Sequence, residues 1–289
     1  MNEGGDSRLN LLELKCRRPV EHLLSGEYRS VFKGRGIEFE DTRVYEPGDD
    51  VRAMDWRITA RTGVPHVKRY VEEREQHFYL VVDLSASTLS DRAGQKRQTI
   101  AEFCSLLTLA ALKNNDRVGL ILFTDRIELV VPVGKGRMHG MRIMDAVLNF
   151  EPKGSGTRLG EALDVLGHLA RKRSIVFLIS DFFASGYERD LQAVAYKHET
   201  IAARIVDGNE VKRPSCSLAR IHDSETGHER VVDFSAQVAE KESLIARTRE
   251  RMLECGVDLI EFLAGEDCVP ALASFFRSRR RLVADETGG

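Results

Sequence analysis

The sequence predicts an α/β fold: a doubly wound, mostly parallel sheet with an N-terminal β-rich extension and an inserted β-hairpin. Two observations carry that class. Apolar runs too short for helices, Phe78–Val82 and Val118–Phe123 and the SIVFLISD stretch Ser174–Asp181, have the composition of strands buried on both faces. Between them lie amphipathic stretches of helical period, and such alternation places helices on both faces of one parallel sheet. A chain of 289 residues, 42% of them hydrophobic, can bury the core this requires.

We divide the chain into an extension over residues 1–76 and a main domain over 77–289. Leu9–Leu24 carries a helical stripe interrupted at Pro19, which predicts two short helices or one broken helix. From Gly34 to Glu75 the pieces are short, charged and strand-like, with a turn at Glu46-Pro47-Gly48-Asp49. Trp56, the only tryptophan, sits among Arg52, Asp55, Arg57 and Arg61. The expected arrangement is a Trp packed on the main domain and rimmed by ion pairs, the alternative a phosphate-binding arginine cluster.

The main domain opens with HFYLVVDLSAS, a strand ending in Asp83 with Ser85 and Ser87 following at a spacing of two. A mostly buried helix over Gln95–Lys113 places Cys104 in packing rather than chemistry. Val118–Phe123 and Ile127–Val133 are strands, the second at the sheet edge. A helix over Met138–Phe150 follows, then Gly154-Ser155-Gly156-Thr157 and the helix Leu159–Arg171, for which Thr157 is a candidate N-cap. Ser174–Asp181 repeats the strand-then-Asp theme. Helix Tyr187–Lys197 and strand Thr200–Val206 continue the alternation until residues 207–235, where SLARIHDSETGHERVVDF reads as a hairpin about Glu225-Thr226-Gly227. Helix Ala236–Cys255, strand Val257–Phe262, a helix over Val269–Arg280 and a disordered ADETGG tail complete the expectation.

A formal net charge of −2 exerts no global pull toward nucleic acid or anionic lipid. The basic run Arg277–Arg280 reads as a solvated helix end. Five cysteines without a CxxC pair fit reduced thiols better than disulfides or a zinc site. No apolar run approaches the ~18–20 residues that span a bilayer, and MNEGGDSRLN lacks the pattern of a signal peptide. These features predict a soluble, cytoplasmic protein that neither inserts into membranes nor binds nucleic acid.

Three loops bring oxygen donors of one kind: Asp83, Ser85 and Ser87, then Thr157, then Asp181. If the strands run parallel, both Asp residues end at the same sheet edge. This order resembles the metal-ion-dependent adhesion site of von Willebrand factor A (vWA) domains. GRGIEFEDTRVYEPGDDVRAMDWRITAR ahead of such a domain, with SGTRLGEAL, LISDFF and the IHDSETGHERVVDF hairpin, is similar to the DUF58 family. The resemblance spans about residues 34 to 262 and departs at Thr88, where the family often has Met. It implies that Ser85, Ser87 and Thr157 coordinate Mg²⁺ (or Mn²⁺ or Ca²⁺) directly, with Asp83 and Asp181 direct or through water. It also implies a MoxR-type AAA+ ATPase as partner, with an acidic residue of a partner protein completing the metal shell.

Two functions are weighed on these residues. The first is a non-enzymatic, metal-dependent protein-binding module; the second is a metal-dependent hydrolase or phosphotransferase with Asp83 as nucleophile. Phosphatases that begin from a strand ending in Asp need a second Asp two positions on as acid/base. Here that position is Ser85, which cannot do that work at neutral pH. No catalytic residue is therefore assigned, and binding is the preferred reading.

Overall fold

Phe78, Leu80 and Val82 pack into one hydrophobic layer while Tyr79 and Val81 pack into another, the period-two alternation of a strand buried on both faces. Val118/Leu120/Leu122 against Ile121/Phe123, and Ile175/Phe177/Ile179 against Val176/Leu178, repeat it. A computed structural model describes residues 3–24, 38–71, 75–89, 94–206, 218–222 and 229–287.

The strands β3 (His77–Asp83), β4 (Arg117–Phe123), β5 (Ile127–Gly134), β6 (Ile175–Ile179), β7 (Glu199–Val206) and β10 (Asp258–Leu263) form one six-stranded sheet, in the order β10-β7-β6-β3-β4-β5. Every neighbouring pair is parallel except β4 with β5. The mixed α/β class and the mostly parallel sheet are as the sequence predicts. From β3 the chain builds outward through β4 and β5, then returns to the other side of β3 for β6, β7 and β10. The strand order therefore reverses between β3 and β6, and the crevice beyond their carboxyl ends is the usual ligand position of open α/β sheets.

Helices α4 (Gln95–Lys113), α5 (Arg137–Asn149) and α9 (Val269–Thr287) bury apolar residues in the layer of Leu80 and Phe177. Helices α6 (Leu159–Leu169), α7 (Glu188–Lys197) and α8 (Phe234–Glu254) cover the other face. Cys104 is fully buried in α4, where burial drives its thiol pKa far up, so it packs. Helix α9 continues through Thr287, so residues 284–287 of the expected tail are helical. Strands β8 (Leu218–His222) and β9 (Glu229–Asp233) pair antiparallel, while the Glu225-Thr226-Gly227 turn, residues 207–217 and Cys216 lie outside the described residues. Among the described residues no helix is long and apolar enough to cross a membrane.

The extension departs from expectation in three places. Helix α1 (Glu3–Leu24) runs unbroken through Pro19. An interior proline costs roughly 3 kcal/mol, offset here because Leu12, Cys16 and Val20 join the main core. Buried Glu13 also accepts two hydrogen bonds from Arg137. Strands β1 (Glu38–Val44) and β2 (His66–Val71) pair antiparallel in a separate sheet, joined by a helix the sequence did not announce, α2 (Trp56–Thr62). Asp55 caps α2 by accepting from the amides of Arg57 and Ile58, and Gly63 ends it in the left-handed region at φ 71°.

The third departure is Trp56, which is 66% exposed rather than packed on the main domain. Among the described residues, Arg52 and Arg57 meet Asp50 and Asp55 through capping backbone amides, not guanidinium ion pairs. The N-cap geometry aims the start of α2 outward, a local choice that composition does not reveal. Trp56→Ala should therefore cost under about 1 kcal/mol in a urea melt, as for exposed positions. A loss of roughly 3–5 kcal/mol, the signature of an emptied core site, would contradict this exposure.

Candidate metal centre

Asp83 ends β3, and the pairing of Val82 with Ile179 sets Ser180 beside it at the end of β6. Both predicted carboxylates thus reach the same edge, at the strand-order reversal. Asp83 is fully buried and its oxygens are occupied from three directions. Oδ1 accepts the Ser85 amide at 2.8 Å; Oδ2 accepts the Ser180 hydroxyl at 2.7 Å and the Thr88 hydroxyl at 3.0 Å. Burial, and next the Asp181 carboxylate, raise Asp83 from 3.8 to about 6, although the Ser180 and Ser85 hydrogen bonds pull it down. Two buried like charges are being held together, and a cation between them would relieve the repulsion.

The hydroxyls follow from the loop. The backbone turns over Asp83, and Leu84 donates its amide to Phe123 O. The short helix α3 (Ala86–Leu89) then starts, with Leu89 N donating to Ser85 O. One helical turn brings Ser87 and Thr88 back over Ser85: the Ser85 and Ser87 oxygens are 3.2 Å apart, those of Ser85 and Thr88 3.3 Å. Neighbouring ligands of an octahedral Mg²⁺, at ~2.1 Å from the ion, lie about 3.0 Å from each other. The Ser85–Ser87 spacing fits that edge. Hard, mostly neutral oxygens are also the donor class Mg²⁺ prefers. Among the described residues no three His, Cys, Asp or Glu side chains converge as a metal site; here two carboxylates are accompanied by hydroxyls.

Thr157 arrives on the loop between α5 and α6, which is fastened on two sides. Ser155 O accepts the amide of Ala86, and Arg158 donates its amide to Thr124 O at the end of β4. The N-cap position of α6 is Arg158 rather than Thr157, so the capping role considered for Thr157 is not adopted. Glu128 sets the height of the loop: its Oε1 accepts the amides of Lys153 and Gly154 and the hydroxyl of Thr124. A Cβ on Gly154 would lie 2.0 Å from Asp125 Oδ1 and 2.2 Å from Thr124 Oγ1. Gly154→Ala should therefore lift the loop and weaken Mg²⁺ binding roughly tenfold or more, at a stability cost of about 1–3 kcal/mol. Calorimetric titration beside a urea melt separates the two effects, and an unchanged affinity would remove this loop from the site.

Asp181 is held by its own turn: Phe183 N donates to Oδ1 at 3.0 Å, and Phe182 N donates to the Ser180 hydroxyl. Phe182 adopts φ 59°, a strained backbone for a bulky residue. Its buried ring beside Tyr187 secures that conformation. The structure thus gathers Asp83, Ser85, Ser87 and Asp181, with Thr157 on a loop bonded to the same turn. Two participants were missed by sequence reasoning. In the sequence Thr88 stands out only as a departure from a family pattern, and Ser180 reads as the tail of an apolar run. Only strand register could show that Ser180 faces Asp83.

Comparison with known proteins identifies the family of the chain. Uncharacterised proteins of Mycobacterium tuberculosis and Mycobacterium bovis are each 30% identical over 285 residues, covering 94% of this chain and 89% of theirs. Among solved structures, BatB from Bacteroides thetaiotaomicron aligns at 14% identity with a TM-score of 0.46, over 71% of this chain and 99% of that one. A von Willebrand factor type A protein from Catenulispora acidiphila aligns at 13% identity and a TM-score of 0.40, over 75% and 44%. A mussel byssus matrix protein described with a zinc-occupied MIDAS motif aligns at 18% and 0.38, over 46% and 38%. Residues 41–251 match the family described as protein of unknown function DUF58, and the chain belongs to that family.

Proposed function

We propose that this chain is a metal-dependent protein-binding module that serves as an adaptor for a MoxR-type AAA+ ATPase in the assembly, maturation or regulation of protein complexes. One observation carries the reading: two buried carboxylates and a close set of hydroxyls meet in the β3–β6 crevice. Ser85, Ser87 and Thr157 would hold Mg²⁺, with Asp83 and Asp181 direct or through water. Bound there, the ion supplies an electrophilic position that a carboxylate from another protein can fill. Away from water such a contact is much stronger than an exposed ion pair. Asp83 has both oxygens engaged by protein donors, which suits it to orienting hydroxyls better than to nucleophilic attack.

The test is a pull-down with the cognate ATPase in Mg²⁺ and in EDTA, for wild type, Ser85→Ala and Thr157→Ala. Recovery should fall in EDTA and in both variants while the melting temperature changes little. Equal recovery throughout would remove the metal from the association.

A further inference from the structure

The exposed tryptophan belongs to a surface whose other residues point to a ligand. Val44 ends β1 opposite His66, and the His66 carbonyl accepts the amide of Asp55, so Val44, His66 and Asp55 form a row across one end of the unit. At ~4.8 Å per strand that row is about 10 Å wide. Trp56 follows Asp55, and Val64 sits two residues before His66. Val44, Val51, Trp56 and Val64 are 53%, 58%, 66% and 44% exposed, whereas between residues 41 and 69 only Val67 is buried. The face is also rigid: Asp55 caps α2, Thr62 Oγ1 donates to Val64 O, and His66 N donates to Thr59 Oγ1.

Along α2 the charge has one sign. Arg52, Arg57 and Arg61 are exposed, and α2 contains no acidic residue. Nearby acids are turned to local work: Asp49 accepts from Arg43 and from the Glu46 amide, and Asp50 and Asp55 cap helices.

We propose that this face is a second, metal-independent docking surface, binding an acidic segment of a protein partner that sets an apolar side chain against Trp56. Exposed Trp and Arg are the side chains that most often anchor protein interfaces. A rigid face saves ordering cost on binding. The exposed apolar side chains of this face besides Trp56 are valines, which offer no stacking platform for bases, so nucleic acid fits less well.

As the sole tryptophan, Trp56 reports occupancy directly through its emission. A random displayed-peptide library selected on the full chain should enrich peptides that combine two or more Asp or Glu with an aromatic residue or Leu. These should shift Trp56 emission to the blue, bind equally in Mg²⁺ and EDTA, and weaken roughly tenfold or more with Arg57→Glu/Arg61→Glu. Trp56→Ala should remove the enrichment without lowering the melting temperature. Enrichment that does not depend on Trp56, or enriched peptides without acidic residues, would overturn the proposal. An emission shift produced only by an oligouridylate would assign the face to nucleic acid, and loss of binding in EDTA would assign the peptides to the metal centre.

Discussion

Asp83→Ala is expected to abolish Mg²⁺ binding and to destabilise the fold by about 2–4 kcal/mol, because three buried donors lose their acceptor. They are the Ser85 amide and the hydroxyls of Ser180 and Thr88. Asp181→Asn should behave differently. It removes one of two apposed charges, and the amide oxygen can still accept from Phe183 N. It should weaken Mg²⁺ yet raise metal-free stability by about 1 kcal/mol. Asp83 is raised in the fold from 3.8 to about 6, so between those values the folded state holds more proton than the unfolded. This component of stability is therefore present below about pH 4 and is lost as pH rises toward 6. Metal-free wild type should lose more stability than Asp181→Asn across that window, and Mg²⁺ should cancel the difference. Urea melts with calorimetric titration at several pH values check all three outcomes. Equal Mg²⁺ affinity in Asp83→Ala and wild type would end the metal assignment.

The second large effect is expected at Arg204, which is 1% exposed in β7, directly opposite Glu261 on β10. Its Nη1 donates to Glu261 Oε1 at 2.9 Å, and its guanidinium carbon lies 5.3 Å from the centre of the Phe183 ring. Arg204→Ala should cost about 3–4 kcal/mol, combining a cavity with the loss of a buried hydrogen-bonded charge. Glu261 would not be stranded, because Arg249 Nε donates to its other oxygen at 2.8 Å. Arg204→Met, which keeps much of the volume, should therefore cost roughly half as much. Equal losses in urea melts would show that charge rather than packing dominates. Phe183 is two residues beyond Asp181, so the Ala variant should also weaken Mg²⁺ while the Met variant largely preserves it.

The alternation of apolar runs with amphipathic stretches determined the sheet, its helical layers and the ends of most elements. Burial on both faces leaves no other pattern for β3, β4, β6 and β7. The order Asp83-x-Ser85-x-Ser87, Thr157, Asp181 was legible because strand ends and loops are local features. Local signals failed where long-range contacts won. Helix α1 ignores Pro19 because its apolar stripe and Glu13 have partners on α4 and α5. Trp56 is exposed although composition alone places tryptophan inside. The contacts of Ser180 and Thr88 with Asp83 were likewise decided only by register and by the turn of α3. Which polar groups face each other across neighbouring strands depends on pairing that no single segment encodes. The sequence by itself determined which chemistry is present and on which elements; the tertiary structure decided that Asp83 is buried beside Asp181, and that the only tryptophan faces outward.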